Sequence, residues 1–589
     1  MFGPVFNREA SVVPKRPQTY LARGLYLLTL FGLICTGYLV LDGSRSLATV
    51  SDSSRFGGWM FAMLSPLQLL ILSSLAAVGA ASSVAQEKDR RTLILLLMTR
   101  LSGFEVVVGK LTATLLGPLS MLVCALPLFL IFPLLGGVSP QQVLGVFVVT
   151  AATVILAGSV GTVVGMWREK TFQAIALTVL LLLILVGTGE IVSVLFALPE
   201  SFQLAFSPVR ALMAAASPLA SLSQATSTGV IYFTVLAFTL SIAVLAFGVN
   251  RVRVWNPSRE VRLKAPEIET SEEMEAESGP RSWKVRAPRP VWDNPILWRE
   301  IRTWAYGRKV VIIRVAFAGL FLLVAGVVAM QVQSGVAFEP AGRIARSLPA
   351  ATLPVAAIGV VSLVLVNALA VNSITGERDG LAIDLLLVTD LNPSEFVFGK
   401  LLGVLYVGKE MILLPLLLLV YLAATGVMTL ENTVYAIVGA LVLFFFVAML
   451  GVHSGLNYVA GRTATLASLG TVFFLCIGIA ICMTIMVSFR GAFQLQLAPF
   501  LVMILGGGAA LFASLGWRNP SSAIFLSSFF LPVITFYAIT QFLLQTDHLF
   551  VVFPLVVGYG FTTAALMIPA LSEFDVSLER DRGAPGDAA

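Results

Sequence analysis

The chain reads as an all-α polytopic membrane protein, two tandem six-helix units with extra hydrophobic segments at the C-terminal end of the second. Hydrophobic residues fill 58% of its 589 positions and charged residues only 12%, with a mean hydropathy of +0.92. A soluble domain carries about 25% charged residues, so this chain cannot cover itself in water. Apolar runs of about eighteen residues or more recur throughout, each long enough as a helix to cross about 30 Å of hydrocarbon. A β-barrel would show short alternating segments instead. The third observation is a repeated motif that follows a long apolar span each time. Its first copy is Glu87-Lys88-Asp89-Arg90-Arg91-Thr92, then Leu95-Leu96-Leu97, Thr99, Leu101, Glu105 and Gly109-Lys110. Its second is Glu377-Arg378-Asp379-Gly380, then Leu385-Leu386-Leu387, Thr389, Leu391, Glu395 and Gly399-Lys400, with matched positions 290 residues apart. A shorter echo pairs Pro4, Arg8 and Glu9 with Pro295, Arg299 and Glu300, 291 residues apart.

The elements follow in order. The N-terminal segment is polar through Lys15, Arg16 and Arg23, and the first span covers about 24–41. It is long, lacks a clear small-residue cleavage site and precedes many further spans, which predicts a retained anchor and not a signal peptide. Spans near 57–85, 107–135, 142–166, 172–195 and 230–250 complete the first unit, residues 1–256. Residues 257–293 break the pattern, with an acidic middle from Glu267 to Glu277, basic flanks, and Pro257, Pro266, Pro280, Pro288 and Pro290. Such composition reads as a charged, flexible linker. The second unit, 294–575, repeats the plan near 310–331, 350–373, 402–428, 433–458 and 464–488. Three apolar stretches then follow, near 498–516, 522–545 and 549–571, where the first unit has one. Gly506-Gly507-Gly508 makes a broken or re-entrant helix the alternative for the first of them. The total comes to about 12–14 spans, with a polar tail over 576–589.

Charge sets the orientation. The net charge of +6 would hint at nucleic acid in a soluble protein; here it reflects basic loops, and no nucleic-acid partner is expected. Loops after even-numbered spans carry Lys88, Arg90, Arg91, Arg100, Lys110, Arg168, Lys170, Arg251 and Arg253. The opposite loops hold little beyond Arg45, Arg55 and Arg210. The positive-inside rule therefore places both motifs and both termini in the cytoplasm, in a cell (inner) membrane. Cys35, Cys124, Cys476 and Cys482 lie inside apolar runs, in no metal or redox spacing, and read as packing residues.

Each motif copy opens with acidic residues, which suit the positive end of a helix. It then runs apolar for about two turns, too short to cross a bilayer and suited to lying along an interface or docking in a groove. Thr99-Arg100-Leu101-Ser102 and Thr389-Asp390-Leu391-Asn392-Pro393 turn the chain. Gly109-Lys110 and Gly399-Lys400 lead it back into the bilayer, where a lysine can snorkel to the boundary. A plain topological hairpin would not need the same order at the same spacing twice.

The pattern resembles the loop between the second and third spans of ABC-2 type transporter permeases, roughly E-x-E-x-G-T, L-L-x-T-P-L-S, E, G-K. The Pro-x-x-x-Arg-Glu pieces resemble the amphipathic segment before the first span of that family. The copies depart from it: Asp89 and Asp379 replace the second Glu, Arg91 the Gly, and Arg100 and Asp390 the Pro, while Gly380 comes one position early. The resemblance implies two fused permease domains coupled to a separate ABC-type ATPase, in two copies, which would bind ATP and Mg. Through it, Glu87, Asp89, Thr92, Thr99, Leu101, Glu105, Gly109 and Lys110 become ATPase-coupling candidates, with Glu377, Asp379, Gly380, Thr389, Leu391, Glu395, Gly399 and Lys400. Pro4, Arg8, Glu9, Pro295, Arg299 and Glu300 become the amphipathic lead-in segments. Export of an unidentified substrate across the lipid bilayer is the expected task, because the family more often exports and no receptor module accompanies the chain.

This chain itself reads as neither an ATPase nor an enzyme. Gly403 to Gly408-Lys409 mimics a phosphate loop, but Glu410 stands where Ser or Thr should bind magnesium, and no strand precedes it. His453 and His548 have no acidic or Cys partner at ligand spacing in the same span, so neither a metal nor a catalytic site is expected. A gradient-driven secondary transporter is the first alternative, with Glu190 and Lys409-Glu410 as its sparse ionisable candidates. Asn367, Asn372, His453 and Asn457 suit helix packing better. A membrane anchor or mechanical transmitter of an envelope complex is the second alternative.

Overall fold

The computed structural model describes residues 6–8, 11, 17–42, 50–89, 92–168, 170–195, 199–217, 224–256, 292–302, 310–340, 349–379, 391–458, 460–488, 497–516, 521–544 and 547–582. Helices dominate. The first half contains α1 (Pro17–Asp42), α2 (Val50–Asp89), the short α3 (Thr92–Leu97), α4 (Gly103–Phe129) and its continuation α5 (Ile131–Leu135). It goes on through α6 (Pro140–Trp167), α7 (Thr171–Leu195), the short α8 (Glu200–Phe206) and α9 (Pro208–Ala216), and α10 (Gln224–Trp255). The second half contains α11 (Pro295–Arg302), α12 (Val310–Gln333), α13 (Thr352–Asp379), α14 (Pro393–Val407) and α15 (Lys409–Ala424). After these come α16 (Leu430–Asn457), α17 (Gly461–Ser488), α18 (Leu497–Gly516), α19 (Ser522–Leu543) and α20 (Leu549–Arg582). The predicted linker, 257–293, lies outside the described residues except at its last two positions.

Twelve helices among the described residues are long and apolar enough to cross a membrane, and α14 with α15, bent by 57° at Gly408, makes a thirteenth if counted as one span. The chain is therefore an all-α, multi-pass membrane protein. Every predicted span has a helix. α20 continues to Arg582, past the predicted span end and into the predicted tail. The stretch near 498–516 forms one helix, α18, and its three glycines do not break it.

Helix boundaries follow local chemistry. Ser102 and Asn392 start α4 and α14 with reciprocal capping boxes to Glu105 and Glu395, which satisfy backbone N–H groups that a helix start leaves orphaned. Ser139 caps α6 through the amide of Gln142, and Thr429 caps α16 through that of Asn432. Gly136 (φ +88°) and Gly426 (φ +76°) make the turns before these helices in a left-handed conformation that suits glycine. Each pair is separated by 290 residues.

The same register governs the packing. α6 crosses α2 through Gly161 and Gly165, and α16 crosses α13 through Gly451 and Gly455. A Cβ at Gly161 would lie 2.6 Å from the Ala77 carbonyl oxygen, and one at Gly451 would lie 2.8 Å from that of Asn367. A Cβ at Gly165 would lie 3.0 Å from the Ala81 carbonyl oxygen, and one at Gly455 3.2 Å from that of Val371. All eight residues match at the 290 offset. Water-driven association is weak inside lipid, so such close backbone approach is a principal source of helix–helix attraction. Away from this crossing, Phe129 packs edge-on to Phe61, Phe132 and Phe147 at 5.3–6.1 Å.

The halves differ before their last helix. α20 packs on α16 and α14 as α10 packs on α6 and α4, so α20 is the counterpart of α10 and the additional pair is α18–α19. The start of α18 joins the end of α17, with Phe500 beside Cys482, Ile485 and Met486. Its far end accepts from Tyr458 Oη through the Ser514 carbonyl at 3.1 Å, and the Leu515 carbonyl lies 3.2 Å from His453 Nε2. α18 thus runs between the two ends of the bundle, although its apolar stretch, Phe500–Gly516, is shorter than the twelve membrane-length helices. Between the halves, α7 packs on α12 and α13, α17 on α2, and α1 on α18.

Replacing Gly451 with Ala should lower the thermal unfolding temperature in detergent, because the new Cβ would meet Ala370 Cβ at 2.5 Å with backbone behind it. The expected cost is about 1–3 kcal/mol. Gly470→Ala, in α17 with nothing within 4 Å of the added carbon, should hold or raise stability.

Candidate functional site

The site is the end of the bundle where α2 and α13 finish. Both helices close on an acid–base pair, Glu87-Lys88 and Glu377-Arg378, and in each pair the two side chains diverge. The base serves the neighbouring helix. Lys88 Nζ donates to the Met166 and Arg168 carbonyls at the end of α6. Arg378 donates to the Leu456 and Tyr458 carbonyls at the end of α16, again 290 residues on. A helix end leaves carbonyls unpaired and carries partial negative charge, so a cation there satisfies both.

The acid turns inward. Glu87 pairs with Lys110 and Glu377 with Lys400. Neither lysine snorkels to the boundary: Lys110 is 6% exposed and Lys400 only 1%. In the second half the pair grows into a network. Lys400 Nζ lies 2.6 Å from both Glu377 Oε1 and Glu300 Oε1, and Arg299 donates to Glu377 and, at 3.2 Å, to Glu300. Two cations and two carboxylates balance in a volume with little water, where an unpaired charge would be costly. Glu300 Oε2 and Glu377 Oε2 make no hydrogen bond among the described residues.

Glycine places Glu300 there. Gly399 and Gly403 line the face of α14 on which α11 lies, and a Cβ at Gly403 would come within 2.8 Å of Glu300 Cβ. A Cβ at Gly399 would lie 2.9 Å from Ile296 Cβ, and Asn294 secures the approach by donating to the Glu395 carbonyl at 2.9 Å. Gly403, the start of the apparent phosphate loop, is thus a helix-packing glycine.

The other predicted residues divide between local structure and surface. Thr92 Oγ1 donates to the Glu87 carbonyl at 3.1 Å and Thr99 Oγ1 to that of Leu96 at 2.6 Å. Glu105 and Glu395 are spent on their caps. The Leu101 carbonyl accepts from Arg253 at 2.9 Å, and Leu391 packs on the main core. Arg8 lies in a short helical stretch, and its carbonyl accepts from Ser11 Oγ at 2.8 Å. Pro295 is the first residue of α11. Pro4, Glu9, Gly380 and Thr389 lie outside the described residues, as do the side chains of Asp89 and Asp379.

α3 carries the surface. Leu93 and Leu97 are buried against Val84, Val106, Val107, Met166 and Val252. Ile94, Leu95 and Met98 project the other way, 40%, 66% and 63% exposed, with Phe104 of α4 beside them in sequence at 58%. Lys88, Arg378, Asn294 and Gly403 also do work at this end that the motif reading did not assign. A basic residue at the same offset in both copies was the available signal for the first two. The chain matches no protein-family model and no curated protein.

Lys400→Met should be the most damaging single change at this end, because it strands Glu300 and Glu377 without their shared cation. Thermal unfolding in detergent should show a loss of about 3–5 kcal/mol. Lys110→Met should cost less, since Glu87 is 26% exposed and water can reach it. Glu377→Gln added to Lys400→Met should recover part of the loss.

Proposed function

We propose that this chain is the permease subunit of an ATP-driven, ABC-2 type transporter, with two transmembrane units, 1–256 and 294–575, on one chain. Separate ATPase subunits dock on the loops 86–110 and 376–400, hold ATP and Mg, and drive export of a substrate across the cell membrane. One observation carries the reading: the outward apolar face of α3 and its following turn, Ile94, Leu95 and Met98, at the charged end of the bundle. Apolar side chains grouped where the positive-inside rule places water ask for a partner surface. The opposite face of α3 is packed on the ends of α2, α4, α6 and α10, so force on the surface reaches four helices at once.

The recurrence at 290 residues of the glycine crossings, the caps, the buried Lys–Glu pairs and the Lys88/Arg378 contacts supports the tandem plan. The docking energy comes from the apolar face, while Glu87 and Glu377 brace the helices behind it. This shifts the polar-contact role that the motif suggested for those two carboxylates. Counting α14–α15 as one span and taking α18 as a crossing, α18–α19 adds an even number of passes, which would keep both termini in the cytoplasm. For an ATPase to switch such a permease, its contacts must differ in strength between the two permease states.

A detergent pull-down with the ATPase encoded nearest to this chain tests the reading. Wild type should recover the ATPase, and Leu95→Glu/Met98→Glu should lose it while thermal unfolding of the chain alone stays unchanged. Recovery by that double variant would move the docking surface elsewhere. No recovery with wild type would return the argument to a gradient-driven transporter or an envelope anchor.

A further inference from the structure

One charged cluster of the second half does not belong to the motif end. Arg314, in the second turn of α12, reaches the step between α14 and α15. One terminal nitrogen donates to the Val407 carbonyl at 2.8 Å, and Nε lies 3.4 Å from Glu410 Oε2. Lys409 sits over the Tyr406 ring, 4.8 Å from its centroid, and pairs with no carboxylate among the described residues. Arg314 Nε and Glu410 Oε2, both shielded from solvent, make no hydrogen bond there either.

The first half has no charged counterpart of Lys409 or Glu410. At the 290 offset Leu116 stands for Tyr406, Pro118 for Gly408, Leu119 for Lys409 and Ser120 for Glu410, while the 291 offset of the lead-in segments pairs Arg314 with Arg23. α4 passes that level without a break. The cluster is therefore not a by-product of the repeated architecture.

Its depth follows from helix length. α15 has 16 residues, about 24 Å, against about 30 Å of hydrocarbon. Taking the Gly426 turn as the far boundary puts the start of α15 about 6 Å inside the near one. Arg314 is four residues, about 6 Å, into α12 and so reaches the same level. This is where lipid phosphates and glycerol groups meet acyl chains, and ionisable side chains there demand counter-charge. Two cations and one carboxylate leave a net charge of +1. Beyond it, Leu413 and Leu417 continue the Glu410 face of α15, 58% and 59% exposed, as an apolar track of acyl-chain character.

We propose that the notch at the Gly408 break binds the phosphodiester of one anionic phospholipid, with Arg314 and Lys409 on the phosphate and an acyl chain along Leu413 and Leu417. Glu410 holds Arg314 in place and sets the net charge to that of a single phosphodiester. The site is a property of the second half alone and stands independently of the transport reading.

Native mass spectrometry of the full chain, delipidated and then offered dioleoylphosphatidylglycerol or dioleoylphosphatidylcholine, tests this. Wild type should bind the glycerol lipid in preference, one per chain. Lys409→Ala, at an exposed position, should weaken that binding about fivefold, and Arg314→Ala/Lys409→Ala about 25-fold, to the choline level. Glu410→Gln keeps both cations and should retain or tighten it, which separates loss of the site from loss of the fold. Equal binding of the two lipids, or no loss in Lys409→Ala, overturns the proposal. Displacement of the lipid by millimolar inorganic phosphate also overturns it, in favour of a free-anion site.

Discussion

The crossing of α2 on α6, and of α13 on α16, governs everything at the motif end. Four glycines let backbones meet at distances that no larger side chain would tolerate. In lipid, where apolar surface gains little from meeting apolar surface, such proximity supplies much of the available attraction. Because each crossing lies within the last turns of α6 and α16, the ends of all four helices are held together. Lys88 and Arg378 can then reach the carbonyls of their neighbours, and Glu87 and Glu377 are left facing inward. The buried lysines become tolerable only after that arrangement exists.

From this scaffold the two ends of the chain diverge in charge. The second half completes a four-member network by laying α11 along Gly399 and Gly403. It also breaks its third span at Gly408 and gathers Arg314, Lys409 and Glu410 around the break. The network adds ionised groups at positions of low dielectric, where each is balanced by another, while the Gly408 cluster keeps a net charge of +1.

Much of this was legible in the residues. Continuous apolar runs announced the spans, because a bilayer imposes length and composition directly. Glu105 and Glu395 stand in the motif, where the resemblance implies a coupling role, while Ser102 and Asn392 read there only as turn residues. What was misread was the direction of side chains. Gly109-Lys110 and Gly399-Lys400 looked like boundary lysines, since a lysine near a span end ordinarily reaches for water. Here each finds a carboxylate 23 residues earlier in the chain, and only the return of α4 and α14 beside α2 and α13 creates that meeting. The His453 contact with α18 was illegible for the same reason, its partner being a carbonyl 62 residues away.

By itself, then, the sequence determined the solvent in which this protein lives, its helical class, the register of its repeat and, through the bias of its basic loops, an expected orientation. These depend on local composition and spacing, which a membrane reads residue by residue. Tertiary structure alone decided which carboxylate neutralises which lysine and that α20, not α18, occupies the place of α10. It also decided which face of α3 remains uncovered. Those are matters of direction between distant segments, set when close helix packing brings each buried charge against its counter-charges.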